Sequence, residues 1–299
     1  MSTTSPRPRI KACYSPAYQA ETSTASMRKL GPVAEAAVKA GLAELVQPAE
    51  MDIIELLKGI HEPEYVDDFN TGKGPGACAN GWGWTPQIRN GVMAMNRGQI
   101  TGATLALEHG IAANVAQGFH HSHPDSGGGY CTFNGLALVA KQFPALNVFV
   151  LDCDNHGGDG TADFAGRMSN LFNYSVCGTS FGADEHSRSK VEVFQNVHED
   201  FSDYDLALRR AFSAAKEFKT NLLLYQAGAD CHETDPLNSA SLTEQQMLER
   251  DRMVFAFCKR HGIPCLWVLA GGYQSMDKLV RLHVNTFEAA VWAWSKETR

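Results

Sequence analysis

The amino-acid sequence predicts an α/β protein built on a parallel β-sheet with helices on its faces. From residue 97 onward, short apolar runs typical of buried strands alternate with segments of helical periodicity, which is the pattern of successive βαβ units. Glycine closely follows four of the apolar runs, at Gly118, Gly157, Gly228 and Gly271. Because open α/β sheets bind ligands at the carboxyl ends of their strands, we expect the functional groups near these four glycines.

The first 60 residues contain one predicted strand and two predicted helices. Residues 10–15 form an apolar run that predicts the strand. Residues 26–46 carry apolar side chains at helical spacing and predict one long helix, and residues 51–60 predict a shorter one.

A glycine-rich stretch at residues 71–90 interrupts this pattern and carries Trp82 and Trp84. Long ordered loops of this kind are often functional. A surface excursion whose tryptophans pack back onto the core explains the composition equally well. Both interpretations stay open at this point.

The remaining elements alternate to the end of the chain. The predicted strands span residues 112–117, 147–151, 171–176, 221–226 and 264–269, and the predicted helices span 97–108, 133–141, 203–218, 243–260 and 276–294. Since no linker interrupts the alternation, residues 1–299 predict a single domain.

Composition excludes several classes of function. The net charge is -7, whereas nucleic-acid binders usually present a basic face. No apolar run approaches the ~20 residues of a membrane span, and the N-terminus lacks the apolar core of a signal peptide. The 8 cysteines are scattered without a CxxC pair, as in reduced proteins. We therefore expect a cytoplasmic protein with no nucleic-acid or membrane partner.

The most informative segment directly follows the predicted strand at 147–151. It contains Asp152, Asp154, His156 and Asp159 within eight residues. Carboxylates crowded at a buried strand end need a cation or must take up protons. Asp154 and His156 alternate along an extended segment and offer an oxygen and a nitrogen ligand on one side, a mixture that suits zinc. A solvated acidic loop is the weaker alternative.

Three other strand ends carry reactive side chains. His120 and His121 follow one strand and suit acid–base chemistry, although alone the pair is as typical of one core and one surface histidine. Asp230 can supply a third ligand to the same metal, with His232 as a rival. Tyr273 follows two glycines and can donate to a developing oxyanion, although it is also a common core or capping residue.

Along the chain these motifs follow one another as His-His, Asp-x-Asp-x-His, Gly-Ala-Asp and Gly-Gly-Tyr. In this order they resemble the histone deacetylase family, which includes bacterial deacetylase-like amidohydrolases and acetylpolyamine amidohydrolases. The resemblance runs from about Ile10 to about Ala290. The forms Gly-Phe-His-His, Gly-Gly-Gly-Tyr-Cys and Ala-Gly-Gly-Tyr are most similar to the small class IV branch. The resemblance implies the arginase/deacetylase fold, with a mainly parallel eight-stranded sheet.

The resemblance also assigns roles to individual residues. Asp154, His156 and Asp230 match the zinc ligands, with iron(II) as a possible substitute for zinc. The residues that match the catalytic set are His121 as general base and acid, His120 as its electrostatic neighbour, Asp152 and Asp159 as the carboxylates that orient the two histidines, and Tyr273 as the donor to the substrate carbonyl.

A substrate tunnel and a structural potassium site are implied as well. Gly129, Tyr130 and Leu237 match tunnel positions. The potassium site matches Asp152, Asp154, His156 and Ser175. Two departures from the family pattern stand out: Gly157 replaces a second histidine, and residues 178–186 replace a Pro-Gly-Thr-Gly loop. Within this replacement, Phe181 is the candidate for the second aromatic wall of the tunnel.

The resulting functional hypothesis is a zinc-dependent deacetylase that acts on acyl-lysine in proteins or peptides. One alternative is a deacetylase of acetylpolyamines or other small acylated amines. Another is an arginase-like ureohydrolase with two manganese ions, which would need bridging carboxylates that Asn155 and Gly157 do not supply. A catalytically inactive binding module is the third.

Overall fold

The computed structural model describes residues 8–295 and contains one eight-stranded sheet in which every strand pair is parallel. The strand order is β2-β1-β3-β8-β7-β4-β5-β6. The strands are β1 (Ile10–Cys13), β2 (Ala43–Val46), β3 (Ile111–Asn114), β4 (Val148–Asp152), β5 (Leu171–Cys177), β6 (Ser189–Val193), β7 (Leu222–Gln226) and β8 (Cys265–Val268). The predicted parallel α/β fold is therefore confirmed.

Nine α-helices in residues 8–295 cover the two faces of the sheet. They are α1 (Leu30–Lys39), α2 (Ile53–Lys58), α3 (Pro63–Thr71), α4 (Pro86–His109), α5 (Gly135–Gln142), α6 (Asp159–Arg167), α7 (Ser202–Glu217), α8 (Glu244–His261) and α9 (Met276–Ser295). Side chains of the central strands alternate between two cores. In β7, Leu222 and Leu224 join the core under α4, α5 and α6, whereas Leu223 and Tyr225 join the core on the opposite face.

Two of the predicted elements are wrong in extent. The single helix expected over residues 26–46 ends at Lys39, and Ala43–Val46 pairs with β1 as an edge strand. Gly41 has a φ of 71°, which ends the helix between them. The helix expected at 97–108 begins earlier, at Pro86, because the Thr85 side chain accepts the Ile88 N–H and caps it.

The sheet brings four functional loops to one edge. β4 and β7 lie side by side in the sheet, with β8 next to β7 and β3 next to β8. Because all strands run in the same direction, the segments after these four strands emerge at the same edge. These are the segments that carry the predicted site residues.

No described helix is both long and apolar enough to cross a membrane. All 8 cysteines are free, and Cys78 is the exposed one among them.

Candidate active site

Asp154, His156 and Asp230 converge at the ends of β4 and β7, and their ligand atoms lie within 4.8 Å of one another. His156 Nδ1 lies 3.3 Å from Asp154 Oδ1 and 3.1 Å from Asp230 Oδ2. Both carboxylates are buried. The structure thus brings together the three residues that the sequence predicted as metal ligands.

Backbone N–H groups hold both carboxylates in place, and Asp154 Oδ1 also accepts the His156 N–H at 3.0 Å. Asp154 Oδ2 accepts the Gly271 N–H at 2.7 Å, and Asp230 Oδ1 accepts the Asn155 N–H at 3.0 Å. The remaining oxygens face His156 Nδ1. Two carboxylate oxygens and one imidazole nitrogen are a donor set that suits zinc with open coordination positions, so these residues fit a divalent metal.

The electrostatics of the cluster also favour a cation. Burial and the neighbouring Asp154 raise the pKa of Asp230 to about 7, since two carboxylates this close cannot both hold a charge without compensation. The rival ligand His232 does not join the cluster. Its Nδ1 accepts the Thr234 N–H at 3.1 Å.

His120 and His121 lie beside the cluster, and each is oriented by a different carboxylate. His120 Nδ1 lies 2.7 Å from Asp152 Oδ2, and His121 Nδ1 lies 2.6 Å from Asp159 Oδ1. The two rings have centroids 3.9 Å apart. These are the pairings that the sequence resemblance implied.

The two imidazoles differ in charge state. Burial opposes the charged form of His120, but Asp152 and Asp154 outweigh burial and raise its pKa to about 9. For His121, burial and the charge on His120 lower the pKa to about 4 despite Asp159. His121 is therefore neutral at pH 7, which is the form that can accept a proton.

Tyr273 reaches the site from the loop after β8. Its backbone N–H donates to Asp235 Oδ2 at 2.8 Å, and Asp235 Oδ1 accepts the Leu237 N–H at 3.0 Å. Burial and the charges of Asp230 and Asp154 hold the pKa of the Tyr273 hydroxyl well above its usual range. The hydroxyl is thus protonated and able to donate.

Aromatic side chains surround the approach to these groups. The Tyr130 ring lies 5.9 Å from that of Tyr273, and the Phe181 ring lies 4.2 Å from that of His121. Phe181 and Leu237 are both exposed. Gly129 permits the close approach, because a Cβ there would lie 2.5 Å from His121 Cδ2 and its φ is 51°.

The glycine-rich stretch at residues 71–90 packs against the aromatic side chains that line the approach to the site. The Trp82 ring stacks on Tyr130 at 5.9 Å, and the Tyr130 N–H donates to the Asn80 carbonyl at 2.9 Å. Trp84 Nε1 donates to the Phe69 carbonyl at 2.6 Å and ties the stretch to α3. The tryptophans do pack back onto the protein, and one of them buttresses a residue of the predicted tunnel.

Sequence comparison identifies the family. The family model described as "Histone deacetylase domain" matches residues 22–289. The chain belongs to the histone deacetylase family. The predicted resemblance is therefore confirmed.

Members and neighbours of this family align over most of the chain. An uncharacterized protein of Picosynechococcus sp. is 31% identical over 243 residues, which cover 78% of this chain and 81% of the relative. Histone deacetylase 2 of Arabidopsis thaliana is 27% identical over 273 residues, covering 84% and 70%. A crystal structure of acetylpolyamine aminohydrolase from Burkholderia pseudomallei superposes with a TM-score of 0.80 at 15% identity, over 95% of this chain and 99% of that one. The last comparison shows a shared fold.

The second departure from the family pattern, the loop at residues 178–186, explains the first, which is the glycine at position 157. The Gly157 N–H donates to the Thr179 carbonyl at 2.8 Å. A Cβ on Gly157 would lie 2.5 Å from the carbonyl oxygen of Ser180. The backbone of the loop after β5 therefore occupies the space of the missing side chain, and the same loop carries Phe181.

The predicted potassium ligand Ser175 is paired in register with Asp152 on the neighbouring strand. Its hydroxyl accepts the Gly158 N–H and an Asn173 amide N–H, each at 3.3 Å. These contacts do not test the potassium site, which stays a prediction.

Sequence reasoning missed several residues that position the site. Lys29 is fully buried and donates to the carbonyls of Ala270 and Gly271 at 2.6 and 2.8 Å. Burial lowers its pKa to about 8, although the nearby carboxylates, Asp230 first, oppose the shift. Because Lys29 lies close to small and apolar residues just before α1, the sequence could have indicated that this lysine is buried.

Arg250 is a second missed cation, also fully buried. Its guanidinium donates to the carbonyls of Cys153 and Gly228 at 3.0 and 3.1 Å. These carbonyls lie one and two residues before Asp154 and Asp230. Arg250 therefore ties together the two segments that carry the carboxylates.

Proposed function

We propose that this chain is a zinc-dependent amidohydrolase that removes acetyl groups from lysine side chains of proteins or peptides. The observation that carries the proposal is the convergence of Asp154, His156 and Asp230 beside a neutral, carboxylate-oriented His121. A zinc ion held by the three ligands would lower the pKa of a bound water to about 7 and polarise the amide carbonyl.

The side chains around the ligands supply the proton transfers. Because Nδ1 of His121 donates to Asp159, the lone pair of the neutral ring lies on Nε2, which accepts a proton from the attacking water. The Tyr273 hydroxyl donates to the carbonyl oxygen as negative charge develops there. His121 then returns the proton to the amine as the C–N bond breaks, the amine takes up the second proton of the attacking water, and the products are acetate and an ammonium group.

The aromatic and apolar groups at the approach favour a lysine chain as the substrate. Tyr130 and Phe181 would flank an extended aliphatic chain that reaches His121 and Tyr273, and Leu237 at the rim offers no charge. A structural potassium ion on Asp152, Asp154, His156 and Ser175 belongs to the same proposal. So do a single domain and a cytoplasmic location, which the free and mostly buried cysteines support.

Deacetylation of acetylpolyamines is the second candidate. The similarity in fold to a protein named acetylpolyamine aminohydrolase, over nearly its whole length, favours it. A polyamine carries additional positive charges that an acidic rim would recognise, whereas Leu237 is apolar and 43% exposed. The rim therefore favours the lysine substrate.

A substrate panel with metal analysis tests both candidates. Purified zinc-loaded protein is assayed on an acetyl-lysine peptide, longer acyl-lysine peptides, acetylputrescine and acetylspermidine, with His121→Ala as the inactive control. We expect one zinc ion per chain and a kcat/KM at least ~10-fold higher on the acetyl-lysine peptide, which corresponds to about 1.4 kcal/mol of selectivity. Higher rates on the polyamines would support the second candidate.

Other outcomes of the panel would overturn both proposals. Two firmly bound manganese ions per chain would favour the ureohydrolase. Zinc-loaded protein without activity on any substrate would favour a binding module. Iron(II) that supports higher activity than zinc would correct the metal alone.

A further inference from the structure

Asn155 stands between two of the proposed metal ligands in the sequence, and its side chain is fully buried. Its amide binds a different part of the chain. Nδ2 donates to the Leu237 carbonyl at 2.9 Å, and Oδ1 accepts the N–H groups of Ser239 and Ala240 at 2.8 and 3.1 Å. One side chain beside the metal ligands therefore fixes the backbone of residues 237–240, the rim loop.

The backbone of Asn155 joins two further segments. Its N–H donates to Asp230 Oδ1 at 3.0 Å, and its carbonyl accepts the N–H groups of Gly178 and Thr179 at 2.8 and 3.0 Å. Every polar group of this residue thus has a partner, and moving it would leave buried groups unsatisfied. Asn155 connects a metal ligand, the loop that carries Phe181 and the rim loop.

Leu237 is exposed, yet both polar groups of its backbone are held by buried side chains. Its carbonyl accepts from Asn155, and its N–H donates to Asp235 Oδ1 at 3.0 Å. The other oxygen of Asp235 accepts the Tyr273 N–H at 2.8 Å. Exposed loop positions are commonly mobile, whereas Leu237 is tied to the metal-ligand segment on one side and to the Tyr273 segment on the other.

We propose that Asn155 is a positioning residue that sets the width of the substrate approach, because it holds the rim loop against the metal-ligand segment. Asn155 acts through Leu237 and touches no substrate itself. This role rests on the function proposed above, in which Leu237 belongs to the rim around the alkyl chain of the substrate. A fixed Leu237 shields part of that chain from water, and a loosened rim loop exposes it.

Direct orientation of the metal ligand His156 is the competing role for Asn155. Asn155 Nδ2 lies 3.4 Å from His156 Nε2, farther than from the Leu237 carbonyl. His156 Nδ1 faces the carboxylates of the cluster, so a metal bound there leaves the ring proton on Nε2. Two N–H groups that face each other form no hydrogen bond. The geometry therefore favours the rim loop as the partner of the amide.

The first test measures the rim loop directly and needs neither metal nor activity. In Asn155→Ala, we expect the rim-loop amides to exchange hydrogen for deuterium at least ~10-fold faster than in wild type, because two of them lose their acceptor. Asn114→Ala is the matched control, since Asn114 is a buried asparagine whose amide bonds to Tyr18 and Met95 instead. Unchanged exchange in Asn155→Ala, or equally fast exchange in Asn114→Ala, would overturn the proposal.

The second test asks whether the rim loop acts on an alkyl chain in the approach. Acetohydroxamate and octanohydroxamate chelate zinc through the same two oxygens, but only the longer chain extends past the rim. In zinc-loaded Asn155→Ala, calorimetric titration should show a ~10-fold higher Kd for octanohydroxamate, as for about two methylene groups no longer buried, and a Kd within ~2-fold of wild type for acetohydroxamate. An equal rise for both compounds would place the effect on the metal ligands and overturn the proposal.

Leu237→Ala checks that Asn155 acts through the rim. Once the Leu237 side chain is removed, a residue that only positions it has little left to affect. We expect Asn155→Ala to raise the octanohydroxamate Kd by less than ~3-fold in the Leu237→Ala background. An undiminished effect in that background would overturn the proposal.

Failure of the proposed function has a different signature. Wild-type protein that binds both hydroxamates but hydrolyses no acetyl-lysine peptide would count against the function, while the exchange rates and Kd values still decide the role of Asn155. Wild-type protein that binds neither compound would count against the metal site, and the exchange experiment would then support or overturn the positioning role by itself.

If Asn155→Ala does not fold, Asn155→Ser takes its place, with circular dichroism and melting temperature as folding controls. The shorter serine side chain cannot reach both the Leu237 carbonyl and the N–H groups of the rim loop. The same changes in exchange and in Kd are expected.

Discussion

The backbone of Ser180 occupies the space that a side chain at Gly157 would require, with 2.5 Å between the carbonyl oxygen and a Cβ built on the glycine. Gly157 follows the ligand His156, and Ser180 precedes Phe181, whose ring covers His121. A small residue in one loop therefore determines how closely an aromatic wall in another loop approaches the site.

Gly157→Ala should displace the Ser180 segment and move Phe181 away from His121. Since a displacement of ~1 Å near a reaction centre can cost ~100-fold, we expect kcat/KM to fall by about 10- to 100-fold with the metal content unchanged. Gly83→Ala is the control, because a Cβ there meets nothing within 4 Å. Activity equal to that of the control would show that the loop adjusts without consequence.

Tyr273→Phe removes the hydroxyl but retains the ring that contacts Tyr130. We expect kcat to fall by about 100- to 1000-fold, as for loss of an oxyanion donor, while KM changes little. Steady-state kinetics on an acetyl-lysine peptide measure both constants. Tyr65→Phe is the control, because its hydroxyl donates to the Thr132 carbonyl, away from the metal ligands. A near-normal kcat in Tyr273→Phe would remove Tyr273 from the mechanism.

Metal binding should stabilise the fold measurably. Protein stripped with a chelator and refilled with zinc at ~1,000 times its Kd gains about 4 kcal/mol by mass action, which raises the melting temperature by several degrees. In Asp230→Asn, we expect zinc to leave the melting temperature unchanged. His232→Gln should retain the wild-type increase, because His232 lies outside the ligand cluster. The reverse pattern would make His232 the ligand.

The buried His61 should make stability fall in mild acid. Its Nδ1 donates to the His123 carbonyl and its Nε2 accepts the Asn134 N–H, and burial lowers its pKa to about 4. Histidine in the unfolded chain has a pKa near 6.5. Between pH 6.5 and 4 the unfolded chain therefore binds more protons than the folded protein, and the free energy of unfolding decreases as the pH is lowered.

This contribution of His61 is full at pH 7.5 and is reduced by about 2 kcal/mol at pH 5. Urea unfolding of wild type and His61→Gln at both pH values measures it, since glutamine does not titrate. We expect the stability difference between the two proteins to shrink by that amount at pH 5. The exposed His109→Gln serves as the control. A difference that is independent of pH would mean that His61 is not kept neutral in the folded state.

The strand-end chemistry could be predicted from the sequence because it is local. Asp154 and His156 follow a recognisable apolar strand, and parallel pairing then forces the ends of neighbouring strands together. The family resemblance supplied the roles. The prediction of a helix beyond Gly41 was wrong, because the apolar spacing typical of a helix continues through this glycine although its positive φ ends the helical conformation.

Contacts between distant segments could not be predicted in this way. His123 follows the His120–His121 pair by two residues, but its contacts depend on how α6 places Asp159 and Asp163 around it. The composition around Lys29 can indicate that the lysine is buried, but it does not identify the loop after β8 as the hydrogen-bond partner. Such roles depend on tertiary distances that spacing along the chain does not encode.

The hydrogen bonds from Lys29 to Ala270 and Gly271 join residues 241 and 242 positions apart. During synthesis, the segment around Lys29 leaves the ribosome long before its acceptors exist. Lys29 cannot form these hydrogen bonds until β8 and the residues that follow it have been synthesised. The site can therefore mature only after β8 and the loop behind it have been synthesised, so a nascent chain that stops before β8 contains all three metal ligands but lacks the backbone that Lys29 binds.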